Sequence, residues 1–321
     1  MKDTTELFYN ELREKVSKEP WRFYHGMDHV NNILSVSDHN TLLRMFAIFH
    51  DWVYEINPSY SGKNEYRSAE TAVEKVLLAN YSSQFAADLY RLIITSEHKY
   101  SHYTDIPSKD WDILKYDLNV FLDPYCDVAS TELKVFKEYQ QFDFSAYKKG
   151  RLEVLLQFGD KLDGLSNNIS ERISFINHFS PKIGVFAGSF NPLHVGHINI
   201  LEKAEKMFDK VVVAVGKNTE KANNGDIQMV KNDLKYREVV EYDGLLVTFI
   251  NQLNYPVTLV RGLRNGNDVP YELNLANALR DINGGVPLNI AYIACDREYE
   301  YISSSLVREL DKFGLNMYRH E

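Results

Sequence analysis

The feature that most restricts the fold is a change of hydrophobic period at Asn177-His178-Phe179-Ser180-Pro181. Before it, from Thr4 to about Ile176, apolar residues recur at helical spacing: Phe8, Leu12 and Val16 stand four apart, and Leu43, Phe46, His50 and Val53 share one stripe. Residues three or four apart line one face of a 3.6-residue helix. After it, Lys182 to Phe186, Lys210 to Val215, Val257 to Val260 and Leu288 to Ile293 are short β-branched runs, each followed by a loop and a helical stretch. Strands that alternate with helices imply a parallel, doubly wound sheet with ligands at the carboxyl ends of its strands. The chain therefore reads as two domains, an all-α helical bundle over residues 1–180 and an α/β, Rossmann-like parallel-sheet domain over residues 181–321. Turn signals at Asn57-Pro58-Ser59, Tyr60-Ser61-Gly62 and Asp123-Pro124 divide the first half into antiparallel helices.

A length of 321 residues exceeds what one ordinary core holds, and 44% hydrophobic with 25% charged residues is ordinary globular usage, so both halves are expected to bury cores. The net charge of −9 argues against nucleic acid or a membrane surface as partner, because phosphate surfaces are held mainly by excess Lys and Arg. Cys126 and Cys295 form neither a disulfide framework nor a zinc spacing. The first residues lack the basic stretch and apolar run of a signal peptide, and no apolar run is long enough to span a bilayer. A cytoplasmic location is expected.

Directly after the first expected strand stands Gly188-Ser189-Phe190-Asn191-Pro192-Leu193-His194-Val195-Gly196-His197, which opens a helix. A helix N-terminus offers unpaired N–H groups and the positive end of the backbone dipole, and Gly196 admits a close approach, so a triphosphate can dock there. His194 and His197 share one side of the first turn, where imidazole N–H groups can stabilise charge that develops during nucleotidyl transfer. The stretch resembles the HxGH signature of the nucleotidyltransferase superfamily. Asp243-Gly244-Leu245-Leu246, Val260-Arg261-Gly262-Leu263-Arg264, Tyr271-Glu272-Leu273 and Tyr301-Ile302-Ser303-Ser304-Ser305-Leu306-Val307 follow in the order and approximate spacing of phosphopantetheine adenylyltransferases.

That resemblance implies transfer of AMP from ATP to 4′-phosphopantetheine with Mg2+, giving dephospho-CoA and pyrophosphate. It implies His197 and Lys221 as catalytic residues, with Ser189, Phe190, His194, Arg261, Arg264, Glu272, Ser303, Ser304 and Ser305 binding ATP or the acceptor. A homo-oligomer is implied on the same ground. Asn191 and His194 stand where the pantetheine enzymes usually carry Asp and Thr, and a first His is common in nicotinamide and nicotinate mononucleotide adenylyltransferases. A mononucleotide is therefore the alternative acceptor.

In the first half, Tyr24-His25-Gly26-Met27-Asp28-His29 sets two histidines four apart, and His50-Asp51 and Asp117 follow. Imidazoles and carboxylates spread over three helices can converge on a divalent ion inside a bundle. The H…HD…D arrangement resembles the HD phosphohydrolase superfamily. The likeness extends through Arg22-Phe23-Tyr24-His25, Phe49-His50-Asp51-Trp52-Val53-Tyr54, Asn64-Glu65-Tyr66-Arg67-Ser68-Ala69 and Lys149-Gly150-Arg151. It implies His29, His50, Asp51 and Asp117 as ligands of a divalent transition metal or Mg2+ that activates water, with His25 as general acid. Asp112 stands close enough in sequence to compete with Asp117, and His98 is a candidate to support the ligands or to bind a second metal, while taken alone it reads as a helix-surface or satisfied histidine. The expected whole is a bifunctional enzyme whose first domain hydrolyses a phosphate ester of a nucleotide or related metabolite. The alternative for that domain is a nucleotide-sensing regulatory module.

Overall fold

A computed structural model describes residues 4–37, 40–56, 63–162, 165, 168–217 and 227–319. The chain divides into two compact units, Met1–Tyr139 with Tyr147–Phe179, and Gln140–Ala146 with Ser180–Glu321. No helix among the described residues is long and apolar enough to cross a membrane.

The first unit contains α1 (Thr4–Ser17), α2 (Met27–Ser35), α3 (Thr41–Phe49), α4 (Asn64–Leu78), α5 (Ser83–Thr95), α6 (Ser108–Asp117), α7 (Asn119–Leu122), α8 (Val128–Glu138), most of α9 (Phe144–Lys161) and α10 (Ile169–His178). Its centre is α3, where Leu43 and every residue from Met45 to Phe49 are buried. A helix apolar on all sides must be enclosed, and α1, α2, α4, α5 and α6 pack around it. The Asn40 side chain starts α3 by accepting the Leu43 N–H at 3.0 Å, a cap that contributes about 1 kcal/mol. As α3 is central, the residues that end it, His50 and Asp51, sit in the interior by construction.

A second apolar group, Leu118, Phe121, Leu155, Leu162, Ile169 and Ile176, gathers α7, α9 and α10. Beside it the fully buried Arg172 donates from Nη1 to Glu132 Oε1 at 2.6 Å and from Nη2 to the Val120 carbonyl at 2.7 Å. Arg151 grips the same carboxylate through Nε at 2.7 Å and Nη2 at 2.8 Å. Buried charge is tolerated when it is paired and hydrogen-bonded in this way, so Arg151 holds the bundle together from inside.

The second unit is a parallel sheet of β1 (Ile183–Gly188), β2 (Lys210–Lys217), β3 (Glu238–Asp243), β4 (Val257–Leu263) and β5 (Ile290–Ala294), in the order β3-β2-β1-β4-β5. It carries α11 (Val195–Met207), α12 (Ile227–Asp233), α13 (Leu246–Gln252), α14 (Asp268–Ile282) and α15 (Ser304–Asp311). β1 and β2 are buried almost end to end, as the β-branched runs require of strands covered on both faces. β3 was not among the expected strands. Its sequence Glu-Val-Val-Glu-Tyr-Asp is mostly polar, and it forms only through its register with β2, Val212 facing Glu238 to Lys217 facing Asp243. An edge strand needs less apolar surface than a central one.

Gln140–Ala146 groups with this unit, tied to it in part by Lys210, which is buried at the start of β2. Its Nζ donates to the Phe142 carbonyl at 2.9 Å and to the Gln140 carbonyl, and lies 2.9 Å from Glu238 Oε2. The strand order reverses between β1 and β4, which opens a crevice at their carboxyl ends.

Candidate functional sites

In that crevice lies a cavity of about 270 Å³, lined among others by Phe190, His194, His197, Arg261, Arg264 and Ser303. β1 ends at Gly188, the chain turns through Phe190 at φ 43°, and α11 begins at Val195. A non-glycine residue in the left-handed region is strained and marks backbone held by its surroundings. The His194 and His197 rings stack at 3.6 Å with 22° between planes, and Phe190 meets His197 edge-on at 5.1 Å. Gly196 is needed for that stack, since a Cβ there would stand 3.2 Å from the His194 ring.

The Nδ1 atoms of both rings are buried without a hydrogen-bond partner. A buried unpaired N–H costs more than a buried lone pair, so the proton belongs on Nε2, leaving each ring an Nε2–H to present. Burial, His194 and Arg264 hold His197 well below the usual histidine range, and burial with Arg264 lowers His194 to about 4. Both rings are therefore neutral donors at physiological pH.

Arg261 donates from Nε and Nη2 to the two Glu272 oxygens, at 2.7 Å each, and from Nη1 to the Ala187 carbonyl at 3.1 Å. The two residues expected to meet ATP separately thus meet each other. Arg264 is half exposed and forked onto Asp268 at 2.8 and 3.1 Å. Ser303 caps α15 by accepting the Leu306 N–H at 3.2 Å, Ser304 donates to the Pro192 carbonyl at 3.4 Å, and Ser305 accepts from Arg308 at 3.0 Å. Ser189 is exposed, and Lys221 lies outside the described residues. The sequence reading missed Tyr299 in the lining, and Tyr318, whose carbonyl accepts the first helical N–H of α11, from Val195, at 3.0 Å. Those residues carry no local signal, because only the fold returns the end of the chain to this helix.

Residues 185–310 match the family described as Cytidylyltransferase-like. A phosphopantetheine adenylyltransferase of Prochlorococcus marinus (strain MIT 9215) is 38% identical over 137 residues, which are 40% of this chain and 85% of that protein. One from Levilactobacillus brevis is 38% identical over 139 residues, 41% of this chain and 84% of that protein. The chain belongs to the phosphopantetheine adenylyltransferase family. Among solved structures, a putative nicotinate-nucleotide adenylyltransferase from Vibrio parahaemolyticus aligns at 17% identity and a TM-score of 0.30, covering 44% of this chain and 94% of that one. By its sequence relatives, the α/β unit is a nucleotidyltransferase of the adenylyltransferase kind.

The neutral histidines should make this adenylyltransferase unit acid-sensitive. A histidine whose folded pKa lies below its unfolded value of about 6.5 contributes stability above that value and loses it as pH falls toward the folded one. With His194 at about 4, a drop from pH 7.5 to pH 5 should remove about 2 kcal/mol through that ring alone. Urea unfolding at the two pH values checks this, and a His194→Asn variant should show a smaller loss. An equal loss in the variant would refute the assignment.

The helical unit holds the second constellation. α2 brings His29, the end of α3 brings His50 and Asp51, and the end of α6 brings Asp117. Gly26 lets the chain enter α2, since a Cβ there would stand 2.7 Å from the Arg22 carbonyl oxygen. His29 Nε2 lies 3.1 Å from His50 Nε2 and 3.1 Å from Asp117 Oδ1, and His50 Nε2 lies 3.1 Å from Asp51 Oδ2 and 3.5 Å from Asp117 Oδ1. His50 Nδ1 bonds the Phe46 carbonyl at 3.1 Å, which turns Nε2 into the cluster. Asp51 Oδ2 is buried and makes no hydrogen bond of good geometry.

Donor atoms bonded at about 2.1 Å to one ion stand roughly 3.0–3.4 Å apart in octahedral or tetrahedral geometry, and the three closest pairs here are each 3.1 Å apart. Burial opposes charge on His50, but Asp51 and Asp117 outweigh it and raise its proton affinity well above an ordinary histidine's. The cluster draws positive charge. Asp112 is exposed and paired with Lys115 at 3.3 Å, whereas Asp117 is the carboxylate of α6 that reaches His29 and His50. His98 follows α5 at φ 56°, 3.3 Å from Asp117 Oδ2 and 3.3 Å from Tyr100 Oη. It is a hydrogen-bonded neighbour of the cluster.

Proposed function

We propose that the α/β unit transfers AMP from ATP to 4′-phosphopantetheine, yielding dephospho-CoA and pyrophosphate. The observation that carries this is the stacked pair of neutral imidazoles at the start of α11, in the cavity of a unit whose relatives bear that name. An acceptor phosphate oxygen attacks the α-phosphorus in line. The new P–O bond forms as the bond to the β-phosphate oxygen breaks, and pyrophosphate leaves with the electron pair. His197 Nε2–H serves the non-bridging α-phosphate oxygens as charge gathers on them. Exposed Arg264 can exchange Asp268 for a phosphate, whereas Arg261 is held by Glu272 and shapes the wall. Among the described residues lining the cavity there is no carboxylate, so Mg2+ fits as an ion carried on the triphosphate.

In the helical unit the reading is a metal-dependent phosphohydrolase of the HD type. His29, His50, Asp51 and Asp117 would hold the ion, and the buried, unsatisfied Asp51 oxygen beside two facing imidazole nitrogens supports that fit. When bound, a divalent ion there supplies Lewis acidity toward water and phosphate oxygens. His25 stands beside the cluster, its ring 6.0 Å from that of His29, as the group to protonate a leaving oxygen.

Pyrophosphate release with ATP and Mg2+ tests the first assignment, comparing 4′-phosphopantetheine with nicotinamide and nicotinate mononucleotides. Selective turnover of phosphopantetheine is expected. Turnover of a mononucleotide alone would move the enzyme to that acceptor. For the second, release of phosphate from a panel of nucleotides is expected, and its absence despite bound metal would leave a nucleotide-sensing module.

A further inference from the structure

Glu138, the last residue of α8, is wholly buried and entered no expectation drawn from the sequence. Its Oε1 accepts the backbone N–H groups of Tyr24 at 2.8 Å and His25 at 2.7 Å. Its Oε2 lies 2.7 Å from His25 Nδ1 and accepts the Tyr54 hydroxyl at 3.3 Å. The His25 ring stacks on Tyr54 at 4.3 Å with 28° between planes. A buried carboxylate is strongly penalised unless donors replace its water, and here four donors do so. Holding the Tyr24–His25 turn needs only Oε1. The second oxygen does something the turn does not require, which is to fix one nitrogen of a histidine beside the metal-type cluster.

We propose that Glu138 is a positioning residue for His25, keeping a proton on Nδ1 so that Nε2 is the nitrogen left to serve the reaction. This rests on the hydrolase reading of the helical unit. In that reaction the water oxygen forms a bond to phosphorus while the bond to the leaving oxygen breaks and its electron pair stays on that oxygen. The Nε2 proton of doubly protonated His25 passes to the leaving oxygen, and Glu138 retains the Nδ1 proton on the now neutral ring. The proton released by water goes to solvent, from which His25 is recharged. An orienting carboxylate behind a catalytic imidazole sets its tautomer and steadies its charged form.

Glu138→Gln tests this with little change of volume. Two backbone N–H groups require the amide oxygen on the Oε1 side, so the amide NH2 must face Nδ1 and can only donate to it. His25 is then forced into the Nε2–H neutral form, which has no proton acidic enough to give. In 15N-histidine-labelled full-length protein, Nδ1 of His25 should be protonated in the wild type and unprotonated in the variant. With Mn2+ and p-nitrophenyl phosphate or its bis ester, kcat should fall about 10²–10⁴-fold with KM and metal content unchanged. Adding His25→Ala to the variant should cost nothing further; unchanged metal content reports that the helical unit is still folded, and unchanged adenylyl transfer by the same chain controls for the amount of intact protein. Nδ1 still protonated in the variant, or hydrolysis within twofold of wild type, would overturn the proposal and leave Glu138 a cap for the turn. If the wild type hydrolyses neither ester although it binds Mn2+, the hydrolase reading fails, and the nitrogen spectrum alone still decides whether Glu138 sets the tautomer.

Discussion

Replacing His197 by alanine should lower kcat for adenylyl transfer by about 10²–10³-fold, the usual effect of removing one donor aimed at developing charge. The ring is held by His194 on one face and Phe190 at its edge, so its N–H is placed before substrate arrives and needs little reorganisation. Its neutrality matters too: burial, His194 and Arg264 keep the imidazole uncharged, so in the proposed role it would donate a hydrogen bond without giving up its proton. An interaction made only in the transition state lowers kcat and kcat/KM together, leaving KM for ATP nearly unchanged. Steady-state pyrophosphate release with 4′-phosphopantetheine measures this, with thermal unfolding as a check on the cavity the substitution leaves. A rate within tenfold of wild type would take His197 out of the catalytic role and point to His194 in its place.

Replacing Asp51 by asparagine should abolish the response of the helical unit to divalent metal. An ion that binds only the folded state at a concentration 100 times its dissociation constant stabilises by about 2.7 kcal/mol. In a unit of this size that is roughly a 5–10 °C rise in Tm. Asp51 supplies the oxygen that is buried, unsatisfied and 3.1 Å from His50 Nε2, so the amide, matched in shape but uncharged, tests the charge specifically. Wild-type protein treated with chelator should regain the Tm increment on addition of Mn2+, and Asp51→Asn should not. Metal content after dialysis gives the independent reading. A variant that still binds Mn2+ and still gains the increment would show that the HD-type cluster is an ordinary buried polar network.

The two sites were legible in the sequence to different depths. Gly188 to His197 could be read directly because strand, turn, glycine and both histidines are local, and local segments report their own geometry. The pairing of Arg261 with Glu272 was not readable, although they are eleven residues apart, because it depends on how α14 lies over the end of β4. β3 escaped notice because its sequence alternates too little apolar surface to announce a strand, and a neighbour's hydrogen bonds create it. Among the residues proposed to hold an ion, His29, His50 and Asp51 stand in recognisable words, while the choice between Asp112 and Asp117 required knowing which face of α6 turns inward.

By itself the sequence determined the helical period before residue 177, the alternation of strand and helix after it, and the residue types that each motif offers. These follow from the side chains and the backbone preferences of a few neighbouring residues. Tertiary structure alone decided which groups meet: Glu138 reaches His25 across 113 positions, and Tyr318 returns to the start of α11. Convergence over such separations is fixed by the packing of whole elements around a core, a property that no short stretch of chain encodes.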